Sequence, residues 1–215
     1  MNGYIQNSLN DSSHRLIYNN VYVYILEPLP DGFDLEYVLS TVERNVPEHL
    51  AYGLEGIYIG QFDELKEKEF DALYKDGTIY ATNEQDDEED LIDDIIHELA
   101  HLTEENLGHH IYGDRKIIDE FLGKRQRLYE ILKAENYELP KQEYFYELEY
   151  NEKFDYYLYK SIGYEKLTYL SMGLFVSPYS ITSLREYFAK SFQRYFMEEM
   201  GLVQKISPAV FEKIE

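Results

Sequence analysis

The sequence contains no cysteine and no tryptophan, and basic residues are scarce beside acidic ones. Without cysteine the chain has no disulfide, no thiol nucleophile and no cysteine-ligated zinc, so a bound metal would depend on His, Asp and Glu. The 42 acidic residues against 20 basic ones give a formal net charge of −22. That charge would repel a phosphate backbone, and no cluster of Lys and Arg offsets it. We therefore expect no nucleic-acid partner.

Long apolar runs are absent as well. No uninterrupted apolar stretch could cross a bilayer, and the polar segment from Met1 to Asn20 lacks the basic and apolar regions of a signal peptide. These features predict a protein without membrane contact, either cytoplasmic or released without a signal peptide, as a phage or toxin protein would be. They leave the oligomeric state open.

The pattern of apolar residues predicts an α+β fold in a single domain, residues 1–215. The part up to residue 106 combines strands with helices and predicts a small mixed sheet, whereas residues 107–215 have a mainly helical pattern with Lys116–Glu135 as the longest helix. The predicted elements of the first part are strands at Val21–Leu26, Gly56–Gly60 and Thr78–Thr82, and helices at Asp34–Val46 and Asp90–Glu105.

The predicted helix at Asp90–Glu105 contains the sequence His97-Glu98-Leu99-Ala100-His101. Two histidines four residues apart project from one face of a helix, where both imidazoles can bind one tetrahedral cation. A glutamate beside the first histidine is suited to act as general base and then general acid. The apolar residues around the histidines are typical of a buried active-site helix. The motif predicts a zinc-dependent metallopeptidase with one catalytic Zn²⁺ ion.

A catalytic zinc site usually has a third protein ligand. The spacing of metzincins is excluded, because their third histidine would fall on Leu107. His109 and His110 come too late in the chain and are interpreted as surface or hinge residues. Two glutamates on later helices remain as candidates for the third ligand. The spacing from the motif favours Glu120, whereas Glu186 is favoured by the apolar residues that surround it in the sequence.

The segment Glu186-Tyr187-Phe188-Ala189-Lys190-Ser191-Phe192 resembles the helix that donates the third zinc ligand in the anthrax toxin lethal factor catalytic domain and in the clostridial Pro-Pro endopeptidases. The resemblance implies a zincin-like fold, in which an edge strand lies over the active-site helix, and a metal site formed by His97, His101 and Glu186. It also implies that Tyr179, seven residues before the ligand glutamate, stabilises the oxyanion. The region between the motif and Tyr179 is not covered, and Lys190 replaces an acidic residue found in those enzymes.

The main functional hypothesis is an endopeptidase acting on a peptide or protein substrate. Glu98 and Tyr179 are its expected catalytic residues, and the substrate backbone is expected to pair with Thr78–Thr82, taken as the edge strand, near Tyr80. The alternative hypothesis is a catalytically inactive zincin-fold module that binds or inhibits a basic protein partner through its negative charge.

Overall fold

The computed structural model describes residues 14–215. The chain separates into two compact units, Met1–Asn106 and Leu107–Glu215. Residues 1–13, which make up most of the segment where no signal peptide was expected, lie outside the described residues. Within residues 14–215, no helix combines the length and apolar character needed to cross a membrane.

A mixed sheet forms the centre of the first unit, and its presence beside the helices confirms the α+β class. Its described strands are β1 (His14–Ile17), β2 (Val21–Ile25), β3 (Gly56–Gly60), β4 (Ala72–Lys75) and β5 (Thr78–Thr82). They lie in the order β1-β2-β3-β5-β4. The pairs β2–β3 and β3–β5 are parallel, whereas β1 and β4 run antiparallel to their neighbours.

The edge strand on the β5 side differs from the prediction. β5 pairs with β3 on one side and with β4 on the other, so the expectation that Thr78–Thr82 is an edge strand near Tyr80 is wrong. Among the described strands, β4 occupies that edge. Asp76 and Gly77, with φ of 49° and 79°, make the two-residue turn that joins β4 to β5. Two positive φ values in succession are typical of a type I′ hairpin turn.

Alternation along the strands gives the sheet two different faces. On one face Val23, Ile57 and Ile79 have no exposed surface, as expected for residues at the centre of a core. On the other face Tyr24, Tyr58 and Tyr80 stand opposite one another on adjacent strands and remain partly exposed. Their rings stack with centroid distances of 4.7 Å between Tyr24 and Tyr58 and 5.7 Å between Tyr58 and Tyr80. In this tyrosine row, formed by Tyr24, Tyr58 and Tyr80, packing of the rings against one another explains the aromatic residues, and no bound ligand is needed to explain them.

Two of the described helices of the first unit were predicted, although the motif helix is longer than expected, and the short helix at Asp63–Lys68 was not predicted. Asp34 begins the first of them, because its carboxylate accepts the Tyr37 amide at 2.9 Å. The motif helix was expected at Asp90–Glu105 but extends further at both ends, with acidic residues in its first turn. The three helices are α1 (Leu35–Asn45), α2 (Asp63–Lys68) and α3 (Glu88–Tyr112), the last of which continues beyond Asn106.

The second unit is helical and irregular. The helical stretch from Leu184 to Ile206 is interrupted, because Met197 and Glu198 depart from helical φ and ψ. A 3₁₀ turn at Tyr179–Ile181 precedes that helix. The α-helices of the second unit are α4 (Lys116–Ala134), α5 (Glu152–Tyr156), α6 (Tyr164–Leu170), α7 (Leu184–Arg194), α8 (Met200–Ile206) and α9 (Pro208–Ile214).

A buried arginine organises the second unit. Arg125 on α4 has no exposed surface and donates to the carbonyl oxygens of Glu147 and Tyr144, both at 2.6 Å. Its guanidinium lies 4.3 Å from the ring centroid of Phe154. Burial lowers the pKa of Arg125 to about 9. These contacts fix the chain after α4 and give the region between the motif and Tyr179 a defined structure.

Candidate metal centre

Helix α3 brings the two histidines of the motif together. The imidazole centroids of His97 and His101 lie 4.8 Å apart with their planes at 88°. Candidate ligand atoms of His97, Glu98 and His101 all lie within 4.8 Å of one another. A group of two imidazole nitrogens and a carboxylate oxygen this close together could hold a metal ion.

The turn of α3 that carries the motif is buried. Ile95, Ile96 and Leu99 have no exposed surface, while Glu98 and His101 are 6% exposed. Burying a carboxylate is costly unless it is hydrogen-bonded. Glu98 meets this requirement, because its Oε2 accepts the main-chain N–H of Tyr74 at 2.5 Å. Sequence reasoning did not predict this contact, because it did not predict β4.

Glu104 is a second residue of this unit that sequence reasoning missed. One of its carboxylate oxygens lies 3.8 Å from Nδ1 of His101, and the two side chains are 16% and 8% exposed. A carboxylate beside one ring nitrogen orients a ligand histidine and leaves the other nitrogen, here Nε2, for a metal. The spacing of three residues on a helix could have identified it.

In the second unit, Glu186 lies in the first turn of α7. The Ser183 hydroxyl caps that helix by accepting the Glu186 amide at 3.1 Å. Ser-x-x-Glu is the pattern of a capping box, which is the structural explanation for a glutamate at this position. One oxygen of the Glu186 carboxylate is buried.

Tyr179 begins the 3₁₀ turn before α7 and lies within electrostatic reach of Glu186. Burial raises the pKa of Tyr179 far above its usual range, and the Glu186 carboxylate raises it further. The phenol is protonated at neutral pH, as an ordinary tyrosine also is. A neutral hydroxyl is the form that can donate a hydrogen bond to a developing oxyanion.

A tyrosine–aspartate cluster lies near Tyr179 and was not predicted. Asp155 accepts hydrogen bonds from the hydroxyls of Tyr150 at 2.7 Å and Tyr164 at 2.9 Å. Burial and the hydrogen bond to Asp155 raise the pKa of both Tyr150 and Tyr164. All three groups also act electrostatically on Tyr179. The region between the motif and Tyr179 thus contributes polar side chains to the surroundings of Tyr179.

Glu120, the other candidate ligand, has a different environment from the one expected. A helical glutamate that binds no metal is usually a surface residue, but the Glu120 side chain is only 15% exposed. Its two oxygens accept the Tyr187 hydroxyl at 2.6 Å and the Ala209 amide at 3.1 Å. Lys124 Nζ lies 3.7 Å away, and burial lowers the pKa of Lys124 to about 8. Glu120 therefore belongs to a buried structural network, because both of its carboxylate oxygens already accept hydrogen bonds.

His109 and His110 lie in the last turn of α3 and are exposed. This agrees with their interpretation as surface residues, here on a helix that continues to Tyr112. Among the described residues, the group of side chains that could hold a metal does not include them.

The structure brings His97, Glu98 and His101 together in the first unit, and Tyr179 and Glu186 together in the second. Comparison with protein families, with curated proteins and with solved structures finds no match for this chain.

Proposed function

We propose that this chain is a zinc-dependent endopeptidase with a zincin-like fold. The observation that carries the proposal is the approach of His97, Glu98 and His101 on one buried turn of α3. His97 and His101 would be two of the zinc ligands, and Glu186 would be the third. The third assignment is supported by the resemblance of residues 186–192 to the lethal factor family.

Zinc, when bound, would polarise the scissile carbonyl and acidify the attacking water. The Glu98 carboxylate would accept a proton from that water and pass it to the leaving amine. A general base must be held near the water that it deprotonates. The hydrogen bond from the Tyr74 amide to Glu98 Oε2 would hold the Glu98 carboxylate in this way.

Tyr179 would donate from its phenolic oxygen to the oxyanion that forms on the carbonyl carbon. The nearness of Tyr179 to Glu186 supports this role, and its phenol carries the proton to be donated at neutral pH, as any tyrosine does. Removing a single oxyanion donor typically lowers turnover by a factor of about a hundred or more.

The substrate backbone would pair with β4. That strand runs beside β5 at an edge of the described sheet, and its main chain reaches Glu98 through Tyr74. Extended peptides commonly bind by adding a strand to such an edge. This assignment replaces the earlier expectation of pairing near Tyr80.

The test is the substitution Glu98→Gln in zinc-loaded protein, with cleavage followed on a peptide library. The expected result is full zinc content with turnover reduced by several orders of magnitude, because the ligands survive while proton transfer is lost. A Glu98→Gln protein that cleaves peptides at the parent's rate would show that the assigned base is wrong.

An inactive zincin-fold module that holds a basic partner is the second candidate, and the net charge of −22 favours it. Zinc analysis combined with autolysis on storage separates the two. Stoichiometric zinc with slow self-cleavage supports the peptidase, and a metal-free, stable protein supports the module.

A further inference from the structure

The outer edge of β4 presents main-chain groups whose directions follow from its pairing. β4 and β5 are antiparallel, with Tyr74 opposite Ile79. The Thr82 amide donates to the Asp71 carbonyl at 2.8 Å, so these two residues form a hydrogen-bonded pair. Hydrogen-bonded and non-hydrogen-bonded pairs alternate along an antiparallel ladder. The N–H groups of Ala72 and Tyr74 therefore point away from β5.

The outward N–H of Tyr74 donates to Glu98 Oε2. Tyr74 is 7% exposed and Glu98 is 6% exposed, so water has little access to this hydrogen bond. A hydrogen bond to a carboxylate is about twice as strong as one between neutral groups, and exclusion of water strengthens it further. An edge-strand amide and the candidate base thus form one buried contact.

The Tyr74 side chain holds this amide in place. Its ring is buried, and its hydroxyl oxygen accepts the Gly77 amide at 3.2 Å in the turn between β4 and β5. Gly77 has φ of +79°, which favours glycine. The hairpin turn and the buried ring therefore both fix the direction of the Tyr74 N–H.

We propose that the main-chain amide of Tyr74 is a positioning group for the Glu98 base, an inference that rests on the proposed peptidase function. By holding Oε2, the amide sets the plane of the carboxylate and leaves Oε1 to take the proton from the attacking water. Substrate binding along β4 would then be linked to the base, because the strand that orients Glu98 through the Tyr74 amide would pair with the substrate through its other outward main-chain groups.

Proline at position 74 tests this role, because it deletes the N–H at an edge position without removing a ladder hydrogen bond. The matched control is Tyr74→Ala, which loses the same ring but keeps the N–H. In zinc-loaded protein, Tyr74→Pro should lower kcat by about tenfold or more relative to Tyr74→Ala, with KM within about twofold. Zinc content should be equal in both.

A second proline variant controls for proline in this strand. Ala72→Pro deletes the other outward N–H of β4, which does not reach Glu98, so it should raise KM rather than lower kcat. A loss of kcat in Ala72→Pro equal to that in Tyr74→Pro would attribute the effect to the strand and overturn the proposal.

Hydrogen exchange of the Tyr74 amide provides a measurement that does not depend on activity or on proline. In Glu98→Ala the acceptor is gone, and exchange of this amide should accelerate by about tenfold or more relative to the parent. The Ile79 amide on the neighbouring strand is the internal reference and should change little. This measurement decides the matter if Tyr74→Pro does not fold.

The outcomes separate this inference from the proposed function. Equal kcat in Tyr74→Pro and Tyr74→Ala, or unchanged Tyr74 exchange in Glu98→Ala, overturns the positioning role while the peptidase assignment stands. A parent protein that binds zinc but cleaves no peptide overturns the proposed function, and the positioning role falls with it.

Discussion

Glu104→Gln tests whether the carboxylate beside His101 orients a metal ligand. The 3.8 Å between Nδ1 and the Glu104 oxygen exceeds the length of a direct hydrogen bond, which is about 2.9 Å. Losing a carboxylate partner of a ligand histidine typically lowers metal affinity about 10- to 100-fold. Because this contact is long, we expect the lower end, a loss of about tenfold or roughly 1.4 kcal/mol.

Glu105→Gln is the matched control for this prediction. Glu105 is the next residue of α3 and is exposed, so the two variants change the net charge equally. The difference between them isolates the contact with His101 from the general effect of removing a negative charge near a cation. Exposed charges contribute little at moderate ionic strength, so Glu105→Gln should bind zinc nearly as well as the parent.

The assay is zinc titration against a chelating indicator of known affinity, at fixed pH and ionic strength. Melting curves of the zinc-free proteins check that neither variant has lost its fold. Equal zinc affinity in Glu104→Gln and Glu105→Gln would refute the orienting role. A gain of affinity in Glu104→Gln would show that the carboxylate hinders the imidazole.

Three further predictions concern the second unit. Glu186→Ala should lower zinc affinity sharply, whereas Glu120→Ala should keep the metal. Glu120→Ala should instead lower the free energy of unfolding by about 1–3 kcal/mol, because the hydrogen-bond donors to this buried carboxylate lose their acceptor. The reverse pattern in zinc titration would make Glu120 the ligand. Tyr179→Phe should keep zinc and KM while kcat falls about a hundredfold, and full activity would exclude the oxyanion role. Burial lowers the pKa of Lys124 from 10.5 to about 8, so the unfolded chain holds more protons between these values and stability should rise with pH there. Urea unfolding should show a gain of roughly 2 kcal/mol between about pH 8 and about pH 10, and Lys124→Met should abolish it.

The motif helix was predictable because its information is local. His97 and His101 need only helical spacing to share a face, and the apolar residues between them predict burial. The strands at Gly56–Gly60 and Thr78–Thr82 were predicted with their observed bounds for a similar reason, since β-branched and aromatic residues are concentrated there.

The edge strand was missed although a signal for it was present. Asp76-Gly77 was interpreted only as the turn that begins the strand at Thr78, but a two-residue hairpin turn requires a strand on each side. Ala72–Lys75 is four residues long and carries little β-propensity outside Tyr74. The contact between Tyr74 and Glu98 joins residues 24 apart in the chain, and no local pattern encodes it.

The environment of Glu120 is a second feature that could not be predicted from the sequence. Glu120 and Lys124 have the spacing of an exposed ion pair on a helix, and their sequence pattern gives no hint of burial. Tyr187 and the start of α9 enclose them, and these residues come 67 and 89 positions after Glu120. Whether a helical glutamate is surface or part of a network therefore depends on distant chain segments.

The stacked tyrosine row affects how the sheet responds to alkali. Burial raises the pKa of Tyr58, and charges on Tyr24 and Tyr80 would raise it further. The Tyr58 phenol should therefore lose its proton only at a pH above that of an ordinary tyrosine, as long as the folded sheet keeps it buried. Since the chain has no tryptophan, ultraviolet absorbance and emission come from tyrosine, and tyrosinate formation can be followed optically without a label. The part of the phenolate signal that Tyr58 contributes only at this higher pH would report that the first unit is folded.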